Sequence, residues 1–227
     1  MARKPTRIRG ARLLLGTVLT VVVVIGLILA AYFTPLMSVK KVTVSGNSVV
    51  SADEIRAAAA VPANKPLLQV DTGASARRVA AIPRIATVRV KRSYPSTIAI
   101  TVVERTPVAY VEGSDGKQLV DDSGYPYAKG DPPPGLPKLV TPNPASGDPA
   151  TTAALSVLTQ LPPVIAGQVS EVDADTASSV VLILKDKRRV DWGSDDESPA
   201  KAQTLIALLT QPGHEYNVMS PNNPTVK

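Results

Sequence analysis

The chain has 227 residues, enough for one or two small domains and too few for a large enzyme with inserted subdomains. It contains no cysteine and one histidine, His214, which excludes disulfide frameworks, thiolate metal sites and any site built from several imidazoles. The formal charge is +6 and only 4% of residues are aromatic, so any core must be built from Val, Ile, Leu and Ala.

The first twelve residues carry Arg3, Lys4, Arg7, Arg9 and Arg12 with no acid among them. An uncharged stretch follows, Leu13 to Phe33 ("LLLGTVLTVVVVIGLILAAYF"), long enough to cross a bilayer core as a helix. Basic residues before an apolar span orient the N-terminus to the cytoplasm and the remainder to the other side. A cleaved signal peptide would have a shorter apolar region, and Ala30-Ala31-Tyr32 is a poor small-x-small cleavage site. The expectation is an uncleaved anchor in the plasma membrane: a cytoplasmic tail over 1–12 and a transmembrane helix over 13–33. Without the five tail bases, 20 Lys and Arg face 19 acids. A nucleic-acid function therefore gains no support from the high pI.

Beyond Pro35, Val39 to Val44 alternates as a strand does and stops at the turn signal Ser45-Gly46-Asn47. Ser51-Ala52-Asp53-Glu54 reads as a capping box opening a helix that ends before Pro62. Asp71 or Thr72 can cap a second short helix over Ala74 to Ile82. Ile85 to Arg92 alternates again, Tyr94-Pro95-Ser96 turns the chain back, and Ile98, Ile100 and Val102 line one face of the next strand. The order is strand, helix, helix, strand, strand. At its end stand Glu104, Arg105 and Pro107. Adjacent residues on a strand point to opposite faces, so Glu104 and Arg105 cannot converge on one substrate atom as acid–base catalysis requires. Pro107 cannot donate to a central ladder, and the three residues read as a domain junction.

After Pro107, "VAYVEGSDGKQLVDDSGYPYAKG" reads as short strands with turns at Ser114-Asp115-Gly116 and Ser123-Gly124. Residues 131–149, "DPPPGLPKLVTPNPASGDP", are too proline-rich for regular structure and are expected to run over the surface as a loop. Thr151 to Leu161 has helical texture. Gln168 to Asp173, Val180 to Leu184 and Arg188 to Trp192 read as strands, and Ser198-Pro199 starts a helix reaching about Thr210. The closing "HEYNVMSPNNPTVK", with Tyr216, Val218 and Val226, suggests extended, exposed structure.

The basic tail, the single span and then "VKKVTVSGNSVVSADEI", "PLLQVD", "RIATVRVKRSYPSTIAITVVERTPVA", "LVDDSGYPY", "LPKLV", "RVDWG", "KAQTLIALL" and "YNVMSPNNPTVK" occur in an order that resembles the FtsQ/DivIB family of bacterial cell-division proteins. The resemblance covers most of the chain and is most specific from Tyr94 to Ala109. The richness in Ala, Val and Pro is similar to that of an actinobacterial member. The resemblance implies an α+β fold: one N-terminal transmembrane helix, a POTRA-like β-α-α-β-β domain over 36–105, then over 106–227 a mixed β domain with helices packed on an antiparallel sheet. It also implies an essential-type divisome scaffold at the septum with no catalytic activity, no cofactor and no small-molecule substrate. Such a scaffold links early and late division proteins by binding the FtsB and FtsL coiled-coil pair outside the membrane. Through that pair it is connected to the septal peptidoglycan synthase pair FtsW and FtsI. In better-known members the partner adds a strand to the last β-domain strand. Here that strand falls within Tyr216 to Val226, making Tyr216, Val218, Ser220, Thr225 and Val226 the expected partner-binding residues. This sequence departs from the pattern in that its only tryptophan is Trp192, outside the terminal strand, and Pro221 and Pro224 interrupt the ladder. The paired length is expected to be shorter or shifted.

Each reactive-looking residue has a bland alternative. His214 follows the turn Gln211-Pro212-Gly213, and although Ser220 and several aspartates could complete a triad, no nucleophile-elbow motif is present. Asp121-Asp122 and Asp195-Asp196-Glu197 could be metal ligands, but acids are also favoured at turns and before helix N-termini. The rival functions are a POTRA-type membrane-anchored chaperone or transport module, which predicts tandem copies of the first domain, and an anchored cell-wall enzyme, which requires a convergent catalytic group.

Overall fold

The computed structural model describes residues 8–33, 37–114 and 116–227, with side chains described from residue 14 and omitted over 27–33. Arg3, Lys4, Arg7 and Asp115 lie outside the described residues, as do the side chains of Arg9 and Arg12. The chain divides into two compact units, residues 1–104 and 105–227.

A helix, α1 (Ile8–Phe33), leads the first unit. Between residues 14 and 26 its Leu, Val and Ile side chains are about half or more exposed. Among the described residues no helix is long and apolar enough to cross a membrane.

Strands β1 (Lys41–Ser45), β2 (Ile85–Ser93) and β3 (Thr97–Glu104) form a three-stranded sheet in the order β1-β3-β2. β1 runs parallel to β3 and β2 antiparallel to it. The helices α2 (Ala52–Ala59) and α3 (Thr72–Ala80) lie between β1 and β2 in sequence. Each helix starts where a side chain satisfies an orphan amide. Ser51 Oγ accepts from the Glu54 amide at 3.1 Å, and Asp71 Oδ1 accepts from the Ala74 amide at 2.9 Å. Ile55 and Ala59 of α2 and Val79 of α3 are buried with Ile98, Ile100 and Val102, so the alternation of β3 places one face on the helices. Two arginines tie separate elements of this unit through backbone carbonyls. Arg78 donates to Ala59 at 2.6 Å, and Arg92 donates to Leu67 and Val70 at 2.8 and 2.7 Å. Gly46 closes β1 with φ +83°, and a Cβ there would lie 2.1 Å from the Val102 carbonyl oxygen.

The second unit is built on a nine-stranded sheet. Its strands are β4 (Ala109–Gly113), β5 (Gly116–Val120), β6 (Pro126–Lys129), β7 (Lys138–Val140), β8 (Val169–Ala174), β9 (Val180–Leu184), β10 (Arg189–Gly193), β11 (Glu215–Asn217) and β12 (Thr225–Val226). The order across the sheet is β12-β11-β10-β9-β8-β7-β4-β5-β6. Helices α4 (Pro149–Gln160), α5 (Pro163–Ala166) and α6 (Ser198–Leu208) complete it. The core gathers Leu155, Leu182, Leu184, Leu205 and Trp192, whose indole N–H donates to Ser198 Oγ at 3.2 Å.

Two sequence expectations are corrected here. The sheet is mixed and not antiparallel, because β7 runs parallel to both β4 and β8, and β11 runs parallel to β10. The proline-rich stretch 131–149 is not all surface loop. Lys138-Leu139-Val140 is free of proline and forms the strand that joins the β4–β6 meander to β8–β12, with Leu139 buried. The flanking Pro137 enters the pairing with β4 only as an acceptor, its carbonyl taking the Tyr110 amide at 3.1 Å, so its missing N–H does not interrupt the ladder.

Candidate partner-binding edge

The last fourteen residues form one margin of the nine-stranded sheet. β11 pairs with β10 over Arg189↔Glu215 to Asp191↔Asn217, and β12 covers the other side of β11 through Tyr216↔Val226 and Asn217↔Thr225. The ladder continues one residue further. The Lys227 amide donates to the Glu215 carbonyl at 2.9 Å, and the Glu215 amide donates back to Lys227 at 3.1 Å. That reciprocal pair fixes the phase of the antiparallel ladder. Thr225 and Lys227 turn their peptide groups toward β11, and Val226 turns its N–H and C=O away from it, along the outer edge. β12 begins directly after Pro224, whose place in the alternation is on the outer edge, where it offers no N–H.

The five expected partner-binding residues separate by environment. Tyr216 and Val218 are buried, contrary to the exposed terminus expected from sequence. The reason is the position of β11 as an interior strand, whose alternate side chains join Val190 and Trp192 in the core. Tyr216 is held by its phenol: the hydroxyl lies 2.9 Å from the Gln211 carbonyl and 3.1 Å from that of Gly213, accepts from Arg188 at 3.4 Å, and the guanidinium stands 5.6 Å from the ring centre. Val226 is half-buried against the same core, whereas Ser220 and Thr225 are exposed. Gly213 makes the packing possible, since a Cβ there would come within 2.4 Å of Val226 Cγ1 and 3.1 Å of the Lys227 carbonyl oxygen. The solvent face of this margin is polar, with Asp191, Glu215, Asn217, Thr225 and Lys227 around a shallow depression and Arg189 paired to Asp191 at 2.9 Å. Gly213 and Val226 form a small-to-branched contact that periodicity could not reveal, because they come from opposite ends of a twelve-residue excursion.

The candidate junction residues are each engaged within one unit. Glu104 accepts from the backbone amides of Ser48, Val49 and Val50 at 2.8 to 3.1 Å. Desolvation pushes its carboxyl up, but those three amides and Arg84 outweigh it and hold the group below the usual glutamate value. Arg105 pairs with Asp121 and stands 4.6 Å from the centre of the Tyr125 ring. Pro107 is half-buried ahead of β4.

Asp121 is buried, and its second oxygen accepts from the Ser123 amide and hydroxyl and the Tyr125 amide at 2.7 to 3.0 Å. Burial alone would raise its pKa, yet the bonds from Ser123, Tyr125 and Arg105 hold it below the ordinary range. This arrangement stabilises the β5–β6 turn. Next to Asp195-Asp196-Glu197, buried Lys201 donates to the Ser194 carbonyl at 2.8 Å. The backbone of His214 bridges Arg189 and Lys227, and its exposed ring has no hydrogen bond to a serine or carboxylate among the described residues. Among the described residues no group of three or more acids or histidines could hold a metal.

Comparison with known families places these features in context. Residues 37–105 match the family described as POTRA domain, FtsQ-type, and residues 109–220 match cell division protein FtsQ/DivIB, C-terminal. The chain is similar to a cell division protein FtsQ of Mycobacteroides abscessus, 47% identical over 97% of this chain and 71% of that protein. It is likewise similar to one from Mycobacterium tuberculosis, 49% identical over 97% and 70% of the two chains. A third, from Streptomyces bingchenggensis, is 36% identical over 99% and 89%. All three organisms are actinobacteria.

Proposed function

The chain belongs to the FtsQ/DivIB family of cell-division proteins, and on that premise we propose that it is a membrane-anchored scaffold of the divisome whose outer β12 edge receives a strand from the FtsB and FtsL pair. Although no helix among the described residues is long and apolar enough to span a bilayer, the uncharged sequence Leu13 to Phe33 behind five bases supports α1 as the anchor, holding the chain in the plasma membrane with the tail cytoplasmic and both folded units outside, at the septum. Docking of the pair connects the scaffold to FtsW and FtsI and so contributes to control of septal peptidoglycan synthesis. The action is binding, without a bond made or broken in a substrate.

The observation that carries this reading is the edge itself. Val226 directs its peptide N–H and C=O outward from a strand anchored on its inner side by the Lys227–Glu215 pair and by Gly213. A sheet edge is either protected or used, and β12 is short enough to avoid promiscuous pairing while still offering a seeded register. The opposite margin, β6, opens with Pro126, which lacks a donor. Depletion of the protein tests the role in the cell: filamentous, unseptated cells are expected, and normal septation would refute the reading.

A further inference from the structure

The near balance of charge outside α1 conceals a division. Residues 37–104 carry ten Lys and Arg against four acids, whereas residues 105–227 carry ten against fifteen. Charge asymmetry of this size between two units of one chain points to different surroundings for each.

The sheet face turned away from the helices holds three of those ten bases and none of the acids. Register and alternation put Ile98, Ile100 and Val102 inward, with Val42, Val44, Val88 and Val90. The outer face therefore carries Lys41 on β1, Arg89 and Lys91 on β2, and Thr97, Ala99, Thr101 and Val103 on β3, with no acid. Glu104 is occupied by amides at the far end. Among the described residues no carboxylate pairs with Lys40, Lys41, Arg89 or Lys91, and all four are exposed.

One end of the face adds an aromatic. The β2–β3 turn displays Tyr94, 57% exposed, and the amides of Lys40 and Lys41 donate to Ser96 in that turn at 2.8 and 3.2 Å. Lys40, Lys41, Lys91 and Tyr94 are thus gathered where β1 begins. This is also the end nearest α1 along the chain. Seven residues separate Phe33 from Lys41, so the start of β1 lies no more than roughly 29 Å from the end of the helix.

We propose that this end of the first unit, Tyr94 with Lys40, Lys41 and Lys91 and the adjoining Arg89, rests on anionic phospholipid headgroups of the leaflet into which α1 emerges. Lysines reach the phosphates while their stems and the tyrosine ring lie at the interface, the division of labour that amphipathic side chains adopt there. The short tether raises the local concentration of the surface, so individually weak contacts suffice. Docking would fix the height and tilt of the first unit above the membrane. The inference rests on α1 being the membrane anchor.

The absence of native cysteine allows single labels. The full chain is placed in nanodiscs of phosphatidylcholine alone or with phosphatidylglycerol, each with a headgroup-level nitroxide lipid. A bimane is attached at Ser93→Cys, at Val49→Cys as the distant control, or at Gly16→Cys within α1. The proposal expects Ser93→Cys emission to be largely quenched only in anionic discs, and restored by molar salt, where the Debye length is about 3 Å, or by Lys41→Glu with Lys91→Glu. Val49→Cys should stay bright. Equal Ser93→Cys emission in both lipids, or quenching that survives the charge reversals, overturns it. So would bright Ser93→Cys in anionic discs with the same face capturing an acidic peptide, which would reassign it to a protein partner. Gly16→Cys reports the anchor separately: quenched there but bright at Ser93→Cys defeats the docking alone. Bright at Gly16→Cys defeats the anchor and the docking together.

Discussion

Glu104 and Arg105 are neighbours in the chain, yet each is committed to a different unit. Glu104 accepts the amides of Ser48, Val49 and Val50, and Arg105 pairs with Asp121. An acid and a base side by side thus do local structural work on the two sides of the boundary between 104 and 105.

Replacement of Glu104 by Gln should weaken the first unit by about 1.5–3 kcal/mol, the usual worth of hydrogen bonds to a charged group. Hydrogen exchange should accelerate at the Ser48, Val49 and Val50 amides and leave the β4–β6 amides unchanged.

Asp121→Asn removes the charge paired with Arg105 and the carboxylate that accepts from Ser123 and Tyr125, at a cost of about 1.5–3 kcal/mol in the second unit. Thermal unfolding should show the loss, with faster exchange at Ser123 and Tyr125.

Both carboxyls also impose a pH dependence with one sign. Their folded pKa values lie below the unfolded ones, so the stability they contribute is complete above the ordinary carboxylate range. It should decline as pH falls below about 4 and vanish once the depressed folded values are passed. Denaturant midpoints across that window should flatten in the Glu104→Gln, Asp121→Asn double variant.

Tyr216→Phe keeps the ring in the core but removes the hydroxyl contacts to Gln211, Gly213 and Arg188, so about 1 kcal/mol of stability should be lost with partner affinity unchanged. Tyr216→Ala should cost about 3–5 kcal/mol and lose binding through unfolding. A drop in affinity with Tyr216→Phe at full folding would show the phenol itself to be a contact.

Gly213→Ala tests the seating of β12. The added methyl meets Val226 and the Lys227 carbonyl, so the edge strand should detach, with faster exchange at the Lys227, His214 and Glu215 amides and weakened partner binding.

Much of this architecture is legible in local pattern. The alternation of Ile98, Ile100 and Val102, the caps at Ser51 and Asp71, and Pro199 at the start of α6 each encode a nearby structure through a nearby residue. What escapes is non-local. β7 is three residues among prolines, and nothing within them shows that β4 and β8 wait on both sides. Tyr216 and Val218 read as a terminal edge because they come late in the sequence, but the later return of Thr225 and Val226 moves the edge outward. Removal of everything after Gly213 would therefore strip two core side chains, and only the last few residues can be deleted without that damage.

The central claim is tested most directly by the affinity of the full chain, in nanodiscs, for the FtsB and FtsL pair from the same organism, compared with Val226→Pro and with a chain lacking residues 224–227. Proline at 226 removes the outward N–H while leaving the inward bonds of Lys227 to Glu215 available. The account predicts tight binding by the intact chain and a loss of about tenfold or more in both variants, with Tyr216 and Val218 amides still protected from exchange. Undiminished binding by both folded variants would contradict it and move the docking surface away from β12.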